Sequence, residues 1–135
     1  DLRIIDASVP ESAYVTQSYV FTDMPYSVTD SYAVDGYLYV CGSYGLIIFD
    51  VDPVDEISIV RMFNDMESLN AIALNGVYMY VAGGNGLTTM DIFPQKVAHQ
   101  LEYLPGYWGP TDVEVSGDYA YLADWVNGLR IIRLW

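Results

Sequence analysis

Few side chains in this sequence are suited to chemistry, and their spacing decides what chemistry is open to them. His99 is the single histidine. A general base needs a partner group and a reacting centre within hydrogen-bond reach. His99 instead sits between Ala98 and Gln100 in a strand-like run, where it reads as a surface residue. No Gly-x-Ser-x-Gly elbow, phosphate loop or histidine-based zinc spacing occurs. Cys41 is the only cysteine, so no disulfide can form within the chain. Inside Tyr39-Val40-Cys41-Gly42 it reads as a small core residue.

Oxygen ligands at short spacing are what calcium takes. The run Asp50-Val51-Asp52-Pro53-Val54-Asp55-Glu56 is the one place that offers them. It lacks the central glycine and terminal glutamate of an EF-hand loop, Pro53 stiffens it, and the cluster does not recur. The expected reading is a strand-end turn in which Asp50, like Asp91, accepts from nearby amides. No cofactor is expected.

The aromatics are the stronger lead. Thirteen tyrosines and three tryptophans stand in 135 residues. Tyr37, Tyr39, Tyr78, Tyr80, Tyr119 and Tyr121 fall in alternating runs and are expected to pack. Tyr107, Trp108 and Trp125 fall in turn-like segments beside Asp112, Asp124 and Asn127. Tryptophan and tyrosine dominate contact hot spots, so these six residues form the candidate binding surface.

The elements that would position them are set by internal repetition. Leu2, Leu46, Leu87 and Leu129 open the same phrase at steps of 44, 41 and 42 residues. Gly36, Gly76 and Gly117 mark a second phrase at steps of 40 and 41. Such a period signals a repeat architecture. The Asp35-Gly36 and Asn75-Gly76 pairs predict tight hairpins with both central residues at positive φ. Each repeat reads as four strands. The first precedes this turn, and the second is Tyr-rich. A Gly/Asn-rich turn leads to the third, Gly-Leu strand. The fourth comprises Ala13–Phe21, Ile57–Phe63 and Lys96–Tyr103, with Pro10, Pro53 and Pro94 just ahead of it. No helical spacing of apolar residues is present.

Four antiparallel strands per ~42 residues is the plan of a β-propeller blade. The expected fold is all-β, with about three such blades forming part of a larger propeller. Residues 1–23 would end a preceding blade, 24–65 and 66–106 would be whole blades, and 107–135 an incomplete one. Both the first and last segments are third strands, so the chain is expected to be a piece of a longer propeller or half of a ring. A simple swap is awkward, because the equivalent end strands compete for one place.

Composition narrows the partners. Hydrophobic residues make up 53% of the chain and the net charge is −13. The first supports a packed core. The second opposes nucleic-acid binding and anionic membrane surfaces. No apolar run approaches the ~20 residues of a membrane helix. An acidic surface is expected to serve solubility in an extracellular or saline setting.

The segment Ser116-Gly117-Asp118-Tyr119-Ala120-Tyr121-Leu122-Ala123-Asp124, followed by Asn127-Gly128-Leu129-Arg130-Ile131-Ile132, resembles the LVIVD-repeat family. That resemblance implies a β-propeller, often secreted or surface-attached, with no shared activity or catalytic residues. Thr88-Thr89 departs from its aliphatic pair, and Asp1 stands where glycine is expected. The resulting expectation is a non-catalytic binding or scaffold module at the cell surface or outside it. Its partner would be a protein or surface component held by loops on one face, or another copy joined through the end strands. The alternative is part of a secreted propeller hydrolase or lyase, with its active residues at the channel mouth or in other blades.

Overall fold

The computed structural model describes residues 1–20, 27–66 and 68–134. It is all-β, with four antiparallel sheets in sequence order. A leading pair, β1 (Leu2–Asp6) and β2 (Tyr14–Tyr19), comes first. Blade 1 holds β3 (Val28–Val34), β4 (Tyr37–Gly42), β5 (Gly45–Asp50) and β6 (Ser58–Phe63). Blade 2 holds β7 (Leu69–Asn75), β8 (Tyr78–Gly83), β9 (Gly86–Asp91) and β10 (His99–Pro105). Blade 3 holds β11 (Pro110–Ser116), β12 (Tyr119–Asp124) and β13 (Gly128–Arg133). Each is an up-and-down meander, the arrangement of a propeller blade. The expected boundary between residues 23 and 24, and Phe21 at the end of the expected outer strand, lie outside the described residues.

Two details differ from the expectation. The Asp35-Gly36 turn has both central residues at positive φ, 50° and 77°, as a type I′ hairpin requires. In blade 2, however, Asn75 pairs with Tyr78, so the central residues are Gly76 and Val77. Only Gly76 is left-handed there, at φ 62°. Glycine in first place is the type II′ solution, and Gly117-Asp118 repeats it. The glycine step of 40 rather than 41 residues records this shift. The outer strand of blade 2 also begins later than expected, because Gln95–Val97 form a 3-10 turn. Lys96 and Val97 thus precede the strand.

Blades stack face to face, so a middle blade buries both faces. Tyr39, Cys41, Leu46 and Ile48 of blade 1 meet Ile72, Met79, Val81 and Met90 of blade 2. Tyr80, Ala82 and Leu87 of blade 2 meet Val113, Ala120 and Leu122 of blade 3. Leu2 and Tyr19 of the leading pair cover Val40, Ile47 and Phe49 on the other face of blade 1. Each such aliphatic side chain contributes about 1.5–3 kcal/mol by leaving water. This double-sided burial explains why β4, β5 and β8 read as nearly continuous apolar runs. Of the six strand tyrosines, Tyr39 and Tyr80 are buried, whereas Tyr119 is exposed.

The inner strands are also joined by side chains. Each carries a β-bulge at its second residue: Thr29, Asn70 and Thr111. The bulge turns that side chain towards the next blade. Thr29 Oγ1 donates to the Leu69 carbonyl at 2.7 Å, and Asn70 Nδ2 to the Pro110 carbonyl at 2.6 Å. Asp30 Oδ2 accepts the Ile72 N–H at 2.9 Å. Third strands share a device too. Asp6, Asp50 and Asp91 each accept the amide two residues on, from Ser8, Asp52 and Phe93, at 2.9, 3.1 and 3.0 Å. This is the strand-end turn expected of the acidic run.

Candidate functional site

At one end of the blades, the loop joining second and third strands lies beside the segment that leads into the first. A backbone bond ties them in every blade. Ser43, Gly84 and Trp125 donate their N–H to the carbonyls of Ser27, Ser68 and Gly109, each at 3.0 Å. Trp125 therefore occupies the place that Ser43 and Gly84 hold in the other blades. A Cβ built on Gly109 would lie 3.4 Å from the Trp125 Cβ, so the loops carrying Trp108 and Trp125 are in direct contact.

The blade 3 loop is one residue longer than its counterparts. Gly42 pairs with Gly45 and Gly83 with Gly86, but Asp124 pairs with Gly128. The extra length is closed by Asp124, which stands where the other blades have glycine. Its Oδ1 accepts the N–H groups of Val126 and Asn127 at 2.9 and 3.1 Å, and its Oδ2 accepts Asn127 Nδ2 at 3.0 Å. The Asn127 side chain, aided by these amides and the Arg130 charge, holds the Asp124 carboxyl below the usual carboxylate range. The result is a fixed turn presenting Trp125 outward. Trp125 is 84% exposed and Trp108 63% exposed.

The other expected site residues divide. Asn127 belongs to this turn as a bracing group. Tyr107 is drawn inward and packs on the core between blades 2 and 3, its N–H bonded to the Asn85 carbonyl at 3.1 Å. Asp112 lies in β11 rather than in the loop, where its Oδ1 accepts the Val113 N–H at 2.9 Å. The surface brought together is Trp108 and Trp125 over the Asp124–Asn127 brace.

The same end of the molecule holds a cavity of about 420 Å³ against blade 2, lined by Asp65 of the segment joining blades 1 and 2 and by Asn85, Thr88, Gln100 and Tyr103 among others. Sequence reasoning did not place it. Its one signal was Thr88, which breaks the aliphatic pair of the repeat and turns out to face this space. Among the described residues no three His, Cys, Asp or Glu side chains converge as a metal would require. His99 lies on the exposed outer strand β10, its Nδ1 3.2 Å from the Val97 carbonyl. Cys41 is fully buried, and burial pushes its thiol up.

No curated protein matches the chain. The LVIVD-repeat family model matches residues 69–93, from β7 through β9, and 110–132, from β11 through β13. These are the three inner strands of blades 2 and 3, the portion in which the glycine turns, paired tyrosines and Gly-Leu strands recur. Two segments of the chain thus match the LVIVD repeat, and they stand in a fold of stacked antiparallel sheets like the blades of a β-propeller.

Proposed function

We propose that this module is a non-catalytic binding or scaffold unit that holds an extracellular or cell-surface protein against the loop end of blade 3. The observation that carries this reading is the pair of exposed indoles, Trp108 and Trp125, on touching loops. The equivalents of Trp125 in the other blades are Ser43 and Gly84. Scaffold positions in a repeat protein must recur, whereas contact positions are free to differ. Exposed tryptophan on a braced backbone offers large contact area with little entropy left to lose on binding. Aromatic anchors of this kind carry most of the energy of an interface.

The test is a comparison of the chain with its Trp108→Ala/Trp125→Ala variant. Both are screened by biolayer interferometry against purified secreted and surface proteins, with cell-wall polysaccharides as a second panel. Because both indoles point into solvent, the variant keeps its melting temperature. Loss of a protein ligand at unchanged melting temperature supports the proposal. A protein bound equally by both forms, or polysaccharide binding alone, refutes it.

A further inference from the structure

The two four-stranded blades differ in chemistry on one face. In blade 1, the outer half of the face turned towards the preceding sheet carries Ile47 and Phe49 of β5, opposed by Met62 and Ile59 of β6. Opposed residues of an antiparallel pair share a face, and Ile47 and Phe49 are buried there against Leu2 and Tyr19. The same four places in blade 2 hold Thr88 and Met90, opposed by Tyr103 and Gln100. Met90 keeps the apolar role and packs against blade 1. The other three places change together. Thr88 stands for Ile47, Tyr103 for Met62 and Gln100 for Ile59, each bringing a hydrogen-bonding group where blade 1 has an apolar one. All three border the cavity of about 420 Å³ against blade 2.

Thr88 makes its floor. The equivalent places in the other third strands hold Arg3, Ile47 and Arg130, all longer than threonine, so the short side chain leaves open a space that the others would fill. Thr88 is 5% exposed, and its hydroxyl makes no hydrogen bond to any described residue. No described side-chain oxygen is both sealed from solvent and unpaired, so this hydroxyl opens on the cavity. The side chains of Asp65, Asn85, Gln100 and Tyr103 around it are likewise without hydrogen bonds to described residues.

The walls are held in place. The Gly84 N–H donates to the Ser68 carbonyl at 3.0 Å, and the Asn85 carbonyl accepts the N–H groups of Gly106 and Tyr107 at 3.0 and 3.1 Å. The turn that carries Asn85 is thus tied from both sides. The Tyr103 ring lies against Gly86, where a Cβ would come within 2.6 Å of it. The lining runs from Asp65 to Tyr103, a joint with a sheet on each side.

The lining selects a ligand chemistry. The amides of Asn85 and Gln100 and the hydroxyls of Thr88 and Tyr103 can all both donate and accept. Such a set matches a ligand whose own groups do both, namely hydroxyls. An anion would meet the Asp65 carboxylate and no cationic side chain. An amine, which only donates, would set its charge against the amide N–H groups. The Tyr103 ring adds a flat apolar surface, which suits the C–H face of a sugar ring. The volume lies within the range of about 300–1,000 Å³ usual for small-molecule sites.

We propose that this cavity is a second binding site, apart from the indole pair, and that it takes a neutral sugar residue of a glycan. Thr88, Asn85 and Gln100 bond the sugar hydroxyls, and Tyr103 supports its C–H face. A few hydrogen bonds in an open site amount to a dissociation constant of about 1 mM.

The experiment is an NMR titration of the isotope-labelled 135-residue chain. The probes are the neutral disaccharides maltose, cellobiose, lactose, mannobiose and diacetylchitobiose, each taken to about 10 mM. Galacturonate and butylamine serve as the anionic and cationic probes. At least one disaccharide is expected to move the side-chain amide resonances of Asn85 and Gln100 together, while the indole resonances of Trp108 and Trp125 stay in place. Thr88→Ile, which restores the blade 1 residue, is expected to weaken that binding about tenfold or more. Gln100→Ala, altered at an exposed position of β10, is expected to weaken it too, and it keeps the test decisive should Thr88→Ile fail to fold. No response of these amides to any of the disaccharides overturns the proposal, and so does movement of the indoles alone. A stronger response to galacturonate or butylamine overturns the ligand class. Undiminished affinity in the folded variants overturns the site. Because amide and indole resonances report separately, failure at this cavity is read independently of the indole pair.

Discussion

Replacing Asn70 by alanine tests whether bulge side chains clasp the blades. Asn70 Nδ2 donates to the Pro110 carbonyl at 2.6 Å, and Pro110 is fully buried. The lost bond is worth about 1 kcal/mol, and a buried carbonyl left partly unpaired adds about 1–2 kcal/mol. The expected loss is therefore about 2–3 kcal/mol. Asn75 provides the internal control. It joins the same two blades at the far end of the same strand, with Nδ2 3.3 Å from the Gly117 carbonyl, but both partners are exposed. Asn75→Ala should cost no more than about 0.5 kcal/mol. With a urea m-value of about 2 kcal/mol/M, Asn70→Ala lowers the unfolding midpoint by about 1 M at unchanged m, and Asn75→Ala by about a quarter of that at most. Asn70→Asp should be worse than alanine, since a carboxylate cannot donate and sets charge against the carbonyl. Equal costs for Asn70→Ala and Asn75→Ala would refute the reasoning, as would a cost below about 0.5 kcal/mol for Asn70→Ala.

Two further predictions concern titratable groups. The folded Asp124 carboxyl is held below the usual carboxylate range, so its contribution is fully present above about pH 4 and is lost as pH falls through the depressed folded value. Amide resonances of Val126 and Asn127 followed by NMR should move below pH 4, and Asp124→Ala should abolish that transition. Cys41 is fully buried with its thiol pushed up by burial. It should stay unmodified by a thiol reagent in the native state and react stoichiometrically in denaturant, as mass spectrometry would show.

The blade plan was legible in the sequence because it rests on period and turn chemistry. Glycine phrases spaced by one repeat and Tyr-rich alternation placed three whole strands per blade. Less regular features left weaker traces. Thr29, Asn70 and Thr111 stand at steps of 41 residues, yet they share only the capacity to donate a hydrogen bond. Their role needs the bulge that aims them, and a bulge has no residue signature of its own. The type II′ turn at Gly76 was visible only as a one-residue deficit in the glycine spacing. At the candidate site, the two exposed tryptophans were found because they break the repeat. Tyr107 reads in the sequence like Trp108 but packs partly on the core, because a loop aromatic can fold back and the adjacent blade decides whether it does. Asp124 reads in the sequence as one more polar loop residue, and the bracing bonds of its carboxylate depend on the extra residue of its turn. Thr88 was noticed as a departure, but the cavity it faces depends on Asp65 and Gln100 from other elements.

The inter-blade clasps run in one direction. Thr29 and Asn70 each offer a donor to the blade that follows, and each following blade offers a carbonyl at the first residue of its inner strand. A single repeat thus carries both the plug and the socket of its own joint. Copying one repeat-length segment of the coding sequence would add a matching plug and socket together, with no new interface to be invented. Blade number can then change by duplication or loss while every existing joint stays intact. Asn70 in place of threonine shows that the plug tolerates substitution, provided a donor remains. Selection on such an array is free to act on the loop ends, where Trp125 stands in the place of Ser43 and Gly84.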